Sequence, residues 1–317
     1  MTSEKLATPK EKVAVLIPTR NRPDQLRRLL KSIAGSNLKP DQVIIVASGE
    51  DIEETLLAYK ATFNITYKHT NFVGQISQKR LGVGLIRQDI DWCLFIDDDL
   101  LLYANTLEIA LETANSYPKE NVIGIGLSLT PTSRTVTMSL ARQKISQLLK
   151  LSSNKPGKVL SSGHASSYLQ EKSVTETEWL NGASIWRTER ARDYGIGLPS
   201  TPYAACEDLI FSYPNSKIGT LIYAPKAIVD FQESELSQLD SFPVMESAAL
   251  WRYYFIKNHR EMSFGWFFLG QIIRALFAVS RTRDGKLKLV KRLFGLNIKL
   301  LKAQMTAIQP KSLLERL

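Results

Sequence analysis

The chain alternates short apolar runs with amphipathic stretches over its first 130 residues. Residues 13–17 form an apolar run that ends at Pro18, which is typical of a buried strand. Pro23 and Asp24 then suit the first turn of a helix. The apolar stripe of that helix recurs at Leu26, Leu29, Leu30 and Ile33. The same alternation predicts strands at 43–46, 65–67, 92–96 and 122–127, and helices at 53–60, 75–86 and 106–115.

Strands that alternate with helices imply parallel pairing through right-handed crossovers. The sequence therefore predicts an α/β fold with a mainly parallel central sheet flanked by helices. Ligands of such sheets bind outside the carboxyl ends of the strands. A polar stretch at 130–175, rich in Ser, Thr, Gln and Lys, is expected to form a long, mobile loop over that site. Late strands are predicted at 218–223 and 227–231.

The pattern changes after residue 240, which predicts a domain at 1–240 and a helical extension at 241–317. Residues 264–280 are an apolar stretch interrupted by Gln271 and Arg274. Because a spanning helix needs about 20 apolar residues with few charges, an interfacial helix is favoured over a membrane span. Residues 286–302 predict a second, basic amphipathic helix. The alternative is a helical subdomain that packs on the core.

Charge is concentrated in this extension. Residues 251–317 hold 14 Lys and Arg against three acids, a net charge of +11, whereas the rest of the chain carries −1. This asymmetry predicts an anionic partner for the extension, namely an anionic membrane surface. Only two cysteines are present, Cys93 and Cys206, and neither has the spacing of a metal ligand. A disulfide framework is therefore not expected, which favours a reducing compartment. We therefore expect a cytoplasmic protein, peripheral at the inner face of the cell membrane.

Two acidic clusters are the candidate chemistry. Asp97, Asp98 and Asp99 directly follow an apolar strand, where three adjacent carboxylates repel one another unless a cation offsets them. Mn²⁺ or Mg²⁺ is the predicted cofactor, because these ions prefer oxygen ligands and commonly share them with substrate phosphates. Glu207 and Asp208 begin an apolar stretch, where a carboxylate could accept a proton from a sugar hydroxyl. Simple helix capping is the alternative for this second pair.

The motifs, taken in order, resemble glycosyltransferase family 2 of the GT-A fold, of the bacterial surface-polysaccharide type. The resemblance covers about residues 12 to 231. The segments that carry it are IPTRNR (17–22), the helix stripe at 26–33, NFVG (71–74) with KRLG (79–82), FIDDD (95–99), WLNGA (179–183) with Arg187, EDL (207–209) and YAP (223–225).

The resemblance implies roles for the matching positions. The catalytic base would be Asp208, supported by Glu207. The positions expected to bind a nucleotide-sugar donor are Pro18, Thr19, Arg20, Arg22, Lys79, Asp97, Asp98 and Gly182. The positions expected to bind the metal are Asp99, Asp97 and Asp230. The implied reaction is transfer of the sugar, with inversion, to a hydroxyl of a glycan or lipid-linked acceptor.

Two positions depart from the family pattern. Ala47 stands where the family usually has the Asp that recognises uracil, so the sequence does not indicate UDP as the donor nucleotide. Asp230 replaces a late His that is often near the metal, and it could still act as a ligand.

Three rival functions follow from the same sequence. A sugar-nucleotide nucleotidyltransferase would normally carry a Gly-rich loop after the first strand, and IPTRNRP contains no glycine. A nucleic-acid-binding module is disfavoured by the balanced charge of the body and the lack of a recognisable motif. A non-catalytic, membrane-binding scaffold would have no need for both acidic clusters.

Overall fold

The computed structural model describes residues 11–119, 121–130, 140–232, 242–281, 286–306 and 308–315. Nine strands lie in these ranges: β1 Val13–Arg20, β2 Gln42–Ser48, β3 Ile65–Thr70, β4 Trp92–Phe95, β5 Leu100–Leu102, β6 Val122–Leu129, β7 Thr175–Glu176, β8 Ser184–Arg187 and β9 Thr220–Phe231. The α-helices of the first 232 residues are α1 Pro23–Ala34, α2 Glu53–Leu56, α3 Gln75–Val83, α4 Thr106–Asn115, α5 Leu140–Leu148, α6 Thr188–Ala191 and α7 Glu207–Asn215. Those that follow are α8 Phe242–Lys257, α9 Phe264–Arg281, α10 Lys286–Met305 and α11 Pro310–Leu314.

The described strands form one sheet in the order β3-β2-β1-β4-β8-β6-β9-β5, with β7 paired to β9. Strands β1 to β4 are parallel, with Pro18 opposite Val46 and Leu16 opposite Phe95. This confirms the predicted mainly parallel sheet. The apolar pattern did not predict β5 and β8, which pair antiparallel with their neighbours. Both are too short to show a clear periodicity.

Alternate residues of β1 enter two different cores, one on each face of the sheet. Val13, Val15 and Ile17 pack with the apolar stripe of α1 and with α4. Ala14 and Leu16 pack on the other face with Val83 of α3 and Phe211 of α7. A strand covered by helices on both faces is apolar at every position, as the pattern of 13–17 predicted.

Two sequence predictions need correction in the later part of the chain. The late strands are a single strand, β9, which contains an irregularity in its pairing with β6 and starts after Ile218. The stretch predicted as a loop at 130–175 contains α5, and its later part is packed. Tyr168 is fully buried, and the Ser263 amide donates to the Ser161 carbonyl at 2.7 Å. Residues 131–139 of this stretch lie outside the described residues.

The C-terminal helices pack on the α/β part. Trp251, Tyr253 and Phe255 of α8 are buried in a cluster that also contains Leu209 and Tyr213 of α7. Leu300 of α10 and Leu314 of α11 complete the same cluster. None of the helices in the described ranges combines the length and apolar character required to cross a bilayer. The predicted domain boundary at 240/241 falls in residues 233–241, outside the described part, and stays a prediction.

Candidate active site

The carboxyl ends of β1, β2 and β4 meet at one edge of the sheet, and the aspartate turn 97–99 follows β4 there. Asp98, 4% exposed, accepts a hydrogen bond from the Thr19 hydroxyl at 2.7 Å and from Arg22 at 3.0 Å. Arg22 also lies 3.6 Å from Asp99. The parallel register brings Thr19 and Arg22 to the turn, because Thr19 lies near the end of β1, the strand beside β4, and Arg22 follows that end. Their polar groups therefore fix the aspartate turn.

Asp97 faces α3. Its Oδ1 accepts a hydrogen bond from Gln75 at 2.7 Å and lies 3.5 Å from Nζ of Lys79. The same Nζ lies 3.7 Å from Oε1 of Glu207, at the start of α7. Lys79 is only 2% exposed. One buried ammonium group thus joins the two acidic clusters, which are more than 100 positions apart in the sequence.

The close approach of α3 to α7 depends on a glycine. Gly74, which precedes α3, has a φ of +124°, and a Cβ there would lie 2.1 Å from the Thr201 carbonyl oxygen. Only glycine adopts this conformation without strain, and only a hydrogen atom fits the space. The glycine of the NFVG motif therefore lets the loop before α7 pack against the start of α3.

Glu207 and Asp208 occupy the first turn of α7, preceded by Cys206 in the left-handed conformation. The positive end of the helix dipole favours carboxylates at this place. Asp208 Oδ1 accepts a hydrogen bond from the Leu209 amide at 2.7 Å. Burial nevertheless raises the pKa of Asp208, and it raises the pKa of Glu207 to about 7 despite the attraction of Lys79. Glu207 therefore changes charge near neutral pH.

Neighbouring carboxylates keep Lys79 protonated. Burial acts to lower the pKa of Lys79, but the carboxylates of Asp97 and Glu207 outweigh it, so that the pKa is raised. Lys79 is therefore a fixed positive charge inside the site. It also lies 5.8 Å from the centre of the Tyr194 ring, in a cation–π contact.

The aspartate turn has the chemistry of a divalent-cation site. Asp97 and Asp99 keep 36% and 27% of their side chains exposed on either side of buried Asp98. Burial, with repulsion from Asp97 and Asp98, raises the pKa of Asp99 to about 6. A cation would relieve this repulsion, and two carboxylates plus substrate phosphate oxygens suit Mg²⁺ or Mn²⁺. The residues present therefore fit such an ion.

Asp230, the third predicted metal ligand, accepts a hydrogen bond from Thr130. Gln232, directly after the end of β9, is the residue that reaches the aspartate turn, and its Nε2 donates to the Asp98 carbonyl at 2.9 Å. Among the described residues, no three His, Cys, Asp or Glu side chains are grouped to hold a metal by themselves. The ligand set of Asp97, Asp99 and Asp230 stays a prediction.

A small pocket lies beside Lys79 and the start of α7, lined among others by Lys79, Asn181, Gly182, Tyr194, Glu207 and Asp208. Gly182 lies there because β8 runs antiparallel to β4, and a Cβ at Gly182 would sit 3.6 Å from Asp97. The structure thus brings Lys79, Asp97, Gly182, Glu207 and Asp208 together. Pro18, by contrast, lies within β1 opposite Val46 of β2, and Arg20 is exposed at the end of β1.

Two buried polar atoms in this pocket have no hydrogen-bond partner within the described part of the chain: Asn181 Oδ1 and Tyr194 Oη. Buried polar atoms are nearly always paired, so an unpaired one at a pocket indicates a ligand or water. Asn181 lies within the WLNGA motif, although the sequence analysis gave it no role. Tyr194 was missed, because nothing in its local sequence distinguishes it from an ordinary core aromatic residue.

The sequence matches the model of glycosyl transferase family 2 over residues 14–173, about half of the chain. The chain belongs to this family. A comparison with curated protein sequences finds no match for this glycosyltransferase.

Solved structures agree on the fold. The crystal structure of S. aureus TarS 1-349 aligns with a TM-score of 0.54 at 16% identity, covering 94% of this chain and 83% of that one. TarS 1-349 in complex with UDP-GlcNAc aligns with a TM-score of 0.51 at 14% identity, covering 93% and 92%. The longer S. aureus TarS structure aligns with a TM-score of 0.50 at 18% identity, covering 96% of this chain and 55% of that one. These similarities confirm the predicted GT-A fold of this family 2 glycosyltransferase.

Proposed function

We propose that this glycosyltransferase moves a sugar from a nucleoside-diphosphate sugar to a hydroxyl of a glycan or lipid-linked acceptor, with inversion. The observation that carries the proposal is the placement of Lys79 between Asp97 and Glu207. This contact supports the proposal because it links the aspartate turn, the proposed metal site, to the carboxylate pair that contains the proposed base.

The proposed donor side of the active site is the aspartate turn. Asp99 and Asp97 would hold Mn²⁺ or Mg²⁺, and such an ion supplies charge neutralisation for a departing diphosphate. Lys79 adds a fixed positive charge beside the same group. Thr19 and Arg22 act indirectly, because they hold Asp98 and so orient the turn. Gln232 supports the turn from β9 through the Asp98 carbonyl.

Asp208 is the proposed base. Its carboxylate removes the proton of the acceptor hydroxyl while that oxygen forms a bond to the anomeric carbon. The bond from the anomeric carbon to the diphosphate oxygen breaks at the same time, which inverts the configuration. Burial raises the pKa of Asp208, and this makes it a better proton acceptor than an ordinary aspartate. Asn181 and Tyr194, which line the small pocket beside Asp208, each hold a polar atom without a partner in the described residues that a substrate hydroxyl or a water could bind.

The proposed donor is a nucleoside-diphosphate sugar whose base is not specified. The structure of TarS with UDP-GlcNAc shows that a protein of similar fold takes a UDP-sugar. Here Ala47, buried at the end of β2 opposite Thr19, provides no carboxylate to recognise uracil. A donor screen across nucleoside diphosphates, with and without Mn²⁺, identifies the base.

The C-terminal helices are proposed to bring the enzyme to an anionic membrane surface. Leu276, Leu287 and Phe294 are between 65% and 69% exposed on α9 and α10. Lys288, Lys291 and Arg292 are exposed on the same stretch of α10. Exposed apolar and basic side chains together are typical of helices that lie in the membrane interface.

Substitution of Asp208 tests the reaction. Asp208→Asn should reduce transfer by about 10²- to 10⁴-fold, the usual contribution of a general base, and leave donor binding nearly unchanged. The matched control is Asp193→Asn, an exposed aspartate in an ion pair with Arg190. Turnover of the Asp208→Asn variant at the control's rate would refute the assignment of the base.

A further inference from the structure

Two arginines from different helices lie near Cys206, which directly precedes the carboxylate pair of α7. Arg252 of α8 donates a hydrogen bond to Sγ of Cys206 at 3.1 Å, and Cys206 directly precedes Glu207. Arg274 of α9 lies with Nη1 3.3 Å from Nε2 of His164. We call these three residues, Arg252, Arg274 and His164, the cationic cluster.

The histidine in the cluster is neutral and acts as an acceptor. An arginine can only donate, so Nε2 of His164 accepts from Arg274, and Nδ1 carries the proton toward Ser162 Oγ at 3.2 Å. Burial, together with the charges of Arg252 and Arg274, lowers the pKa of His164 well below its usual value. The histidine thus orients Arg274 without adding a third positive charge.

The two arginine charges have no carboxylate in ion-pair contact within the described residues. Burial around the guanidinium and repulsion from Arg252 both lower the pKa of Arg274. Nε of Arg252 is buried, and no hydrogen-bond partner for it lies in the described ranges. Arg252 also donates from Nη1 to the Gly163 carbonyl at 2.5 Å. Two neighbouring guanidinium groups without a carboxylate at ion-pair distance attract anions, and their planar donors suit phosphate oxygens.

The backbone of α9 is adapted to this arrangement. Gly270, one turn before Arg274, faces His164, and a Cβ there would lie 3.4 Å from the His164 ring and 2.6 Å from Leu151. The glycine lets α9 approach closely enough for Arg274 to reach the histidine. Arg274 keeps an exposed part, so that a ligand can approach it from solvent.

The cluster lies on the acceptor side of the proposed reaction. The contacts run from Asp97 through Lys79 to Glu207, and then from Cys206 to Arg252. The charge of Arg252 also acts to lower the pKa of Asp208. An anion at the cluster would therefore lie near the proposed base.

We propose that the cationic cluster binds a phosphate or diphosphate group of the acceptor, which makes the acceptor a phosphorylated compound. This inference rests on the proposed function, because only a transferase has an acceptor. The anion site itself can be tested without turnover. The phosphate could belong to a lipid carrier, because the exposed Leu276 lies on the same helix as Arg274. It could equally belong to a phosphate-containing glycan.

The test is titration calorimetry of the full chain with hexyl phosphate and with glycerol phosphate, in EDTA and without donor. The wild type should bind at least one of the two, and Arg274→Gln should weaken that binding by about tenfold or more, the usual effect of losing a charge-assisted hydrogen bond. Arg274→Lys should fall between them. Arg260→Gln, an exposed arginine in the loop between α8 and α9, is the control and should bind as the wild type does.

Each result decides the proposal. Tighter binding of hexyl phosphate supports a lipid phosphate, and tighter binding of glycerol phosphate supports a glycan phosphate. The absence of binding to the wild type, or equal affinities of the Arg274→Gln and Arg260→Gln variants, would overturn the site. Because donor, metal and turnover are absent, these results are independent of the Asp208→Asn assay. A melting temperature for each variant shows that it is folded.

Discussion

Lys79 of α3 and Glu207 of α7 form a buried ion pair, with 3.7 Å between Nζ and Oε1. The pair joins the donor side of the pocket to the side that holds the proposed base. Lys79 lies in α3, which follows the parallel strand β3. Glu207 lies in α7, which comes after the antiparallel strand β8 and the short helix α6. The chemistry of the site therefore depends on a contact between elements that are far apart in the chain.

Removal of the lysine charge should change the pH profile of the enzyme as well as its rate. Lys79→Met removes an attraction that lowers the pKa of Asp208, the proposed base, and of Glu207, so the acid limb of the pH–rate profile should move to higher pH. Loss of a preorganised charge should reduce turnover on the order of 100-fold. The measurement is the rate of transfer between pH 5 and pH 9. Arg80→Met, the exposed neighbouring cation, should keep the wild-type profile; a similar loss in both variants would contradict the role of Lys79.

Glu207 should make the protein less stable as the pH rises. Its pKa is about 7 in the folded state and 4.5 ordinarily, so between these values the folded state holds a proton that the unfolded state has released. The free energy of unfolding then falls with rising pH, by about 3 kcal/mol in all. Glu207→Gln should lack this loss.

Melting temperatures at pH 4.5 and pH 8 measure the effect. The difference in melting temperature between Glu207→Gln and the wild type should be several degrees more favourable to the variant at pH 8 than at pH 4.5. Glu189→Gln removes an exposed carboxylate, 71% accessible, and should show no such gain. Parallel curves for the wild type and Glu207→Gln would show that Glu207 ionises normally.

The donor should bind through Asp99 in a manner that depends on pH. Asp99→Asn should weaken Mn²⁺-dependent donor binding by at least about tenfold, since even indirect metal partners contribute that much. The pKa of Asp99 is about 6, so protons should compete with the cation below that pH and donor binding should weaken there. Calorimetric titration of donor with Mn²⁺ at pH 5.5 and pH 8 measures both effects. Unchanged donor affinity in Asp99→Asn would remove this residue from the metal site.

The exposed apolar face of the C-terminal helices should determine membrane binding. Truncation is a poor test, because Phe267 and Leu300 belong to the core cluster shared with α7. Phe294→Glu and Leu276→Glu change side chains that are 67% and 65% exposed, so the fold should persist. Each variant should float less with phosphatidylglycerol vesicles than the wild type. Leu57→Glu, at an exposed leucine of the α/β part, should float normally, and equal flotation of all variants would end the proposal.

The apolar periodicity alone determined most of the α/β framework. The runs at 13–17 and 92–96 became β1 and β4, and the stripe of Leu26 to Ile33 became the buried face of α1. These elements were predictable because the apolar positions that each one buries form a complete pattern within its own local sequence. The family was also predictable, since its motifs are contiguous segments whose order the sequence preserves.

The composition of the pocket was decided by the tertiary structure. Sequence patterns proposed Lys79, Asp97 and Glu207 as separate members of motifs, but their ion pairs arise only when α3 and α7 pack on one face of the sheet. Tyr194, Gln232 and the cluster of Arg252 with Arg274 have no local pattern that marks them. Their roles depend on burial and on distances between elements, and these quantities do not exist until the whole chain has folded.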